Sequence, residues 1–170
     1  RSLEALRGGD APPLLPRQLR GGASEEQAEA QQVAQAARRN LRLGDLLWAR
    51  RRYGAAAVEY GRALEAAPGD PRIASRMAAA SLEAGHPADA VRALAPIVDR
   101  YPDHAPSLAV LARAYRETGD RERAESTARA ALRLNPFDPS PHCDLAAVAT
   151  DDATRALEAR QCTALGGSIP

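Results

Sequence analysis

The sequence predicts an all-α protein built as a stack of helix–turn–helix units. Three observations carry that prediction. Apolar residues recur at helical spacing in short segments; Gly and Pro punctuate those segments; and the whole pattern returns every 34 residues. Pro68, Pro102 and Pro136 share this interval, as do Ala56, Ala90 and Ala124, and Leu64, Val98 and Leu132.

The unit is clearest from Ala105 to Asp138, APSLAVLARAYRETGDRERAESTARAALRLNPFD. Its first helix carries Leu108, Leu111, Ala112 and Tyr115 at i, i+3, i+4 and i+7, an apolar stripe of helical period. Gly119-Asp120 ends that helix and caps the next, because Gly adopts helix-terminating conformations and Asp accepts from free N–H groups. The second helix offers Ala124, Ala128, Ala131 and Leu132 to the first, and Pro136 stops it. Small residues on facing stripes let two antiparallel helices approach closely.

Leu43-Gly44, Met77-Ala78 and Leu111-Ala112 fall in step with the same period. A 34-residue helix–turn–helix period resembles the tetratricopeptide repeat, whose pattern is W-x2-L-G-x2-Y…A-x3-F…P. The first copy answers it with Asn40-x2-Leu43-Gly44-x2-Leu47, Ala56-x3-Tyr60 and Pro68. The resemblance covers roughly three fifths of the chain. It implies a right-handed superhelical stack in which each repeat packs on its neighbours.

In chain order, residues 1–23 read as a flexible Pro/Gly-rich tether with two Gly-Gly pairs and a Pro-Pro. A sharper reading makes Leu14-Leu15-Pro16 an extended ligand for a repeat groove. Residues 24–36 read as a helix leading into the array, with Ser24 as N-cap, either continuous with the first repeat or kinked near Arg39-Asn40. Three repeats follow, at 37–70, 71–104 and 105–138. Asp70-Pro71 and Asp138-Pro139 mark unit starts, with Asp as cap and Pro at the first helical position. His104 takes the place of those aspartates. In the first repeat Arg50-Arg51-Arg52 replace the Gly-Asp turn. They read as a solvated charge run at a helix C-terminus rather than as an anionic-surface site. Residues 139–165 read as a degenerate repeat or capping pair folding about Asp151-Asp152, and 166–170 as a frayed tail.

Composition bounds the function. The 170 residues hold one Trp, one Phe and four Tyr, so the hydrophobic share of 45% is mostly Ala and Leu. All 23 basic residues are Arg, yet net charge is only +1, which argues against nucleic acid as partner. No apolar run approaches ~18 residues, so direct membrane insertion is not expected. No signal peptide is visible. The chain begins Arg1-Ser2 without Met, which fits a piece of a longer protein; cytoplasm and periplasm both stay open.

No nucleophile motif, phosphate loop or H-E-x-x-H occurs, and no cofactor is implied, so enzymatic activity is not expected. His86, His104 and His142 sit near turns or helix starts. His142 adjoins Cys143, but adjacent helical residues diverge, and no metal-ligand set forms. Cys143 and Cys162 lie one on each helix of the final pair, within about a turn of each other once the helices fold back. Buried free thiols are the favoured reading; a disulfide is the alternative, and it would imply an oxidising compartment.

The family resemblance implies a peptide groove lined by the first helix of each repeat. Carried over, that face comprises Arg38, Leu41, Asp45 and Trp48, then Arg72, Ser75, Ala79 and Leu82, then Ala109, Arg113 and Arg116. Trp48 is either a binding anchor or packed beneath the N-terminal helix. The Lys/Asn/Arg cluster with which some relatives clamp a C-terminal carboxylate is absent: Leu41, Asp45, Arg76, Pro106 and Val110 stand there. With Asp45, Glu83 and Glu117 nearby, the face suits an extended peptide whose acidic groups flank an apolar residue. The expected function is thus a scaffold or adaptor binding a protein or peptide. Alternatives are the accessory segment of a larger bacterial envelope hydrolase or assembly machine, and an array that self-associates as a homo-oligomer.

Overall fold

The computed structural model describes residues 17–169, and among these it contains helices and no strand. In order they are α1 (Arg17–Ala49), α2 (Tyr53–Ala66), α3 (Pro71–Glu83), α4 (Pro87–Arg100), α5 (Ala105–Glu117), α6 (Arg121–Leu134), α7 (Pro139–Val148) and α8 (Asp152–Ala164). Sequential helices pack in antiparallel pairs, and α5 also lies against both α3 and α7. The protein is therefore a one-dimensional stack of four pairs, each touching its neighbours.

Alanine makes the pairing close. Ala56, Ala78, Ala90, Ala112, Ala124 and Ala128 are wholly inaccessible to solvent. They sit at the helix crossings, where any larger side chain would push the axes apart. Leu82, Leu94, Ile97, Leu111 and Tyr115 fill the central core between the second and third pairs. Backbone donors at the helix starts are satisfied locally. Asp70, Asp120, Asp138 and Asp151 each accept from an N–H two or three residues on. At Ser107, His104 Nδ1 takes over that task at 3.3 Å, which accounts for the histidine in the aspartate position.

The turns within the first three pairs use a left-handed residue. Gly85 and Gly119 supply it at φ 80° and 82°. Arg51, 34 residues before Gly85, adopts the same region at φ 56° without being glycine.

Two expectations need correction. Ser24 does not cap a helix: α1 begins at Arg17, so Gly21-Gly22 lie inside it and the helix runs unbroken through Arg39-Asn40. Helical hydrogen bonding over a long segment outweighs the roughly 1 kcal/mol each glycine costs. α7 begins at Pro139 behind its cap Asp138, where the Asp138-Pro139 pair places a unit start. The tail is not frayed where it leaves α8. Gly166 turns at φ 84° and the Gly167 N–H donates to Cys162 O at 2.8 Å, closing the helix as a Schellman motif. Leu14-Leu15-Pro16 and the rest of the tether up to residue 16 lie outside the described residues.

Candidate concave-face site

The site is built on the first helices of the pairs, α1, α3, α5 and α7. Asp45, Arg76, Glu83, Arg113, Arg116 and Asp144 project from them and join helix to helix. Arg76 Nη1 donates to both Asp45 oxygens at 2.7 and 2.9 Å, linking α1 and α3. Arg113 Nη1 donates to Glu83 at 2.6 Å, linking α3 and α5. Arg116 Nε donates to Asp144 at 2.7 Å, linking α5 and α7. A guanidinium–carboxylate pair thus bridges each successive pair of first helices. The first two are solvent-accessible and contribute little each, typically under ~1 kcal/mol. In the third, Asp144 is buried and Arg116 partly so, and burial pushes the Asp144 carboxyl above its ordinary range although Arg116 pulls it down. Among the described residues, Asp144 Oδ2 is a buried side-chain oxygen without a hydrogen-bond partner.

Three recesses open along this face. Asp45, Trp48, Tyr60, Arg76 and Ala79 line one of about 220 Å³. Its walls are the indole and an alanine; its rim is the Asp45–Arg76 pair, which also holds the Tyr60 hydroxyl at 2.7 Å from Asp45 Oδ1. Trp48 is 37% exposed, and Tyr53 supports it edge to face at 5.1 Å between ring centres. The indole is therefore available rather than packed away. A second recess of about 200 Å³ is lined by Leu41, Arg72 and Arg76 with Asp70 and Ile73. A third, of about 420 Å³, lies between α5, α7 and the residues after α8, and includes Arg113, Arg116, Ser140, Asp144 and Ser168.

The structure brings Asp45, Trp48 and Ala79 together, Leu41 with Arg72, and Arg113 with Arg116. Four of the expected groove residues are not part of these recesses. Ser75, Leu82 and Ala109 are buried. Ser75 Oγ is spent on Ser107 Oγ and Pro71 O at 2.7 Å each, and Leu82 belongs to the core. Arg38 lies with Arg39, Arg42, Leu43 and Leu46 in a recess of α1 itself. The groove arginines are paired: Arg113 with the expected Glu83 and Glu117, Arg116 with Glu117 and with Asp144, and Arg72 with its own helix cap Asp70. Tyr60 and Asp144 join the site without having been expected there, and Arg76, which stands at a clamp position, joins it through Asp45. Tyr60 left one signal, being the largest residue at its 34-residue position, where Leu94 and Ala128 follow.

Cys143 and Cys162 correct the favoured reading of free thiols: they are joined as a disulfide, with Cα atoms 4.9 Å apart. No group of three His, Cys, Asp or Glu side chains that could hold a metal occurs among the described residues. No helix there is long and apolar enough to cross a membrane.

A stack of helix pairs with a recessed first-helix face defines the class of helical-repeat interaction modules. The tetratricopeptide repeat family model matches residues 47–106 and 81–149, and the chain belongs to that family. The thermophilic TPR protein TTC0263 of Thermus thermophilus is 30% identical, with 77% of this chain and 75% of that one covered and a TM-score of 0.66. MamA (41-end) of Desulfovibrio magneticus RS-1 shares the fold at 21% identity, covering 88% and 87%, with TM-score 0.64. So does the first TPR of Spaghetti (RPAP3), solved bound to the HSP90 peptide SRMEEVD, at 16% identity, covering 79% and 96%, with TM-score 0.58. No curated protein matches the chain in sequence.

Proposed function

We propose that this protein is a non-enzymatic scaffold or adaptor that binds a peptide or protein segment along its concave face, seating an apolar side chain of that segment against Trp48. The recess of about 220 Å³ walled by Trp48 and Ala79 carries the proposal. An exposed indole beside a small residue is the kind of surface that concentrates binding energy. Its rim charges are paired with each other, which lowers the cost of seating an apolar group beside them. Acidic groups flanking the apolar residue would meet Arg113 and Arg116. Each guanidinium has five N–H donors, more than its internal partners use. The peptide held by the similar repeat of Spaghetti supports the mode but not the sequence bound.

The test starts from a partner captured with the intact chain. Trp48 is the only Trp, so its fluorescence reports directly on the recess. Binding is expected to shift that emission, and Ala79→Arg, which fills the recess, to weaken binding at least tenfold, about 1.4 kcal/mol. Arg133→Ala, on the second-helix side, should leave it unchanged. Equal affinity for parent and Ala79→Arg would move the site off this face.

A further inference from the structure

The last helix pair is fastened differently from the other three. The second helix of each earlier pair buries several side chains: Ala56, Tyr60 and Ala63 on α2; Ala90, Leu94 and Ile97 on α4; Ala124, Ala128 and Ala131 on α6. On α8 a single residue is buried, and it is Cys162, wholly inaccessible and bonded to Cys143 of α7. Leu157, the large apolar residue mid-helix, is 47% exposed. Two further ties to α7 and the turn after it are polar: His142 Nδ1 to Glu158 at 2.6 Å, and Arg155 Nη2 to Ala149 O at 3.0 Å. Two polar contacts add only a modest net stabilisation each and do not replace an apolar seam.

The chain beyond α8 depends on the same bond. Gly167 sits directly over the cystine: a Cβ there would lie 2.5 Å from the Cys143 sulfur and 3.0 Å from the Cys162 sulfur. Gly167 and Ser168, with Cys143, form one wall of the 420 Å³ recess beside Arg113 and Arg116. The cystine therefore stands under a wall of the concave face.

We propose that Cys143–Cys162 is a redox-operated latch that holds α8 and residues 165–168 onto α7, and with them the outer wall of this recess. The step is a two-electron reduction. A dithiol attacks one sulfur, the Cys143–Cys162 bond breaks through a mixed disulfide, and the second thiol of the reductant closes its own disulfide. Two protons end on the cysteine sulfurs. The two thiols then no longer hold each other at bonding distance. The packing over Gly167 has no slack, and α8 has no other buried side chain to keep it docked. The inference is independent of what the concave face binds.

Hydrogen exchange read by mass spectrometry on the full chain, oxidised and after dithiothreitol, tests it. The oxidised protein should protect the α8 amides. Reduction, verified by alkylation of two thiols, should speed their exchange at least tenfold and leave α3 to α6 within twofold. The double variant Cys143→Ala/Cys162→Ala should match the reduced protein and ignore dithiothreitol. Unchanged α8 protection in the reduced chain or in the double variant overturns the latch. So does loss of protection throughout the stack, which would make the cystine a global staple. Two thiols labelled in the denatured chain without reductant would show that no latch exists.

Discussion

The ring of Tyr60 lies so close to Gly44 that a Cβ added there would stand 2.6 Å from Cε1 and 2.7 Å from Cδ1. The positions facing each other in the next pairs are Ala78 with Leu94, sharing one core cluster, and Ala112 with Ala128, sharing another. The bulkiest partner thus faces the smallest residue. Gly44→Ala gains helix propensity of ~1 kcal/mol but overpacks a ring held by its hydroxyl, so a net loss of ~1–2 kcal/mol is expected. Gly44→Ala/Tyr60→Leu, which copies the second pair, should recover part of it. Urea midpoints of the three proteins check both statements; a neutral single variant would refute the close contact.

Burial first, and then the hydrogen bond to the Asp45 carboxylate, hold the Tyr60 phenol well above the usual tyrosine range. The folded state therefore keeps a proton that the unfolded chain releases near its ordinary value of 10.0. The stabilisation is complete below that pH and is lost as pH rises beyond it. Tyr60→Phe should cost ~1 kcal/mol at neutral pH through the lost hydrogen bond. It should also lose less stability than the parent between pH 9 and 11, by roughly the part that phenol ionisation accounts for. Parallel alkaline melting curves for the two proteins would contradict this.

Arg51 holds a left-handed conformation that Gly85 and Gly119 occupy at equivalent turns. A side chain there costs ~1–2 kcal/mol, and the extra freedom glycine has when unfolded returns ~0.5–1 kcal/mol of that. Arg51→Gly is predicted to raise stability by ~0.5–1 kcal/mol. Thermal melts should shift up by a few degrees, whereas Gly119→Ala should shift them down.

Ala90 is fully buried in the central core. Ala90→Arg places a charged side chain where no methylene fits, and ~3 kcal/mol or more of destabilisation is expected from overpacking and desolvation together. Circular dichroism should show a protein unfolded or melting far below the parent.

The period was legible because it rests on packing. A position where two axes cross every 34 residues must stay small, and Ala56, Ala90 and Ala124 display that constraint directly. The groove was only half legible. A repeat pattern says which side of a helix a residue occupies, but not how deeply a neighbouring helix covers it. Ser75, Leu82 and Ala109 lie on the carried-over face and are covered by the helices on either side. Charge was legible in part: Glu83 and Glu117 were expected near the groove arginines, and the atom-to-atom pairing was not. Partners such as Arg113 and Glu83 are 30 residues apart in sequence and meet only once α3 and α5 lie side by side. The start of α1 was missed because a Gly-Gly pair ordinarily marks a linker, and only the length of the helix overrules it.

That length has its own consequence. At 33 residues α1 spans roughly 50 Å, whereas the 14 residues of α2 that face it span about 21 Å. Residues 24–36 are exposed along their whole run. The side chains of this stretch are not covered by the repeats, so its helix draws little from their packing and rests chiefly on backbone hydrogen bonds. Heating should therefore melt the protein in two regimes: a shallow, nearly linear decline in ellipticity as the overhang unwinds, then a sharp step as the packed pairs separate. Salt should act mainly on the first regime, where Glu25, Glu26 and Glu29 are exposed, and truncation to residue 36 should abolish the slope while leaving the step in place.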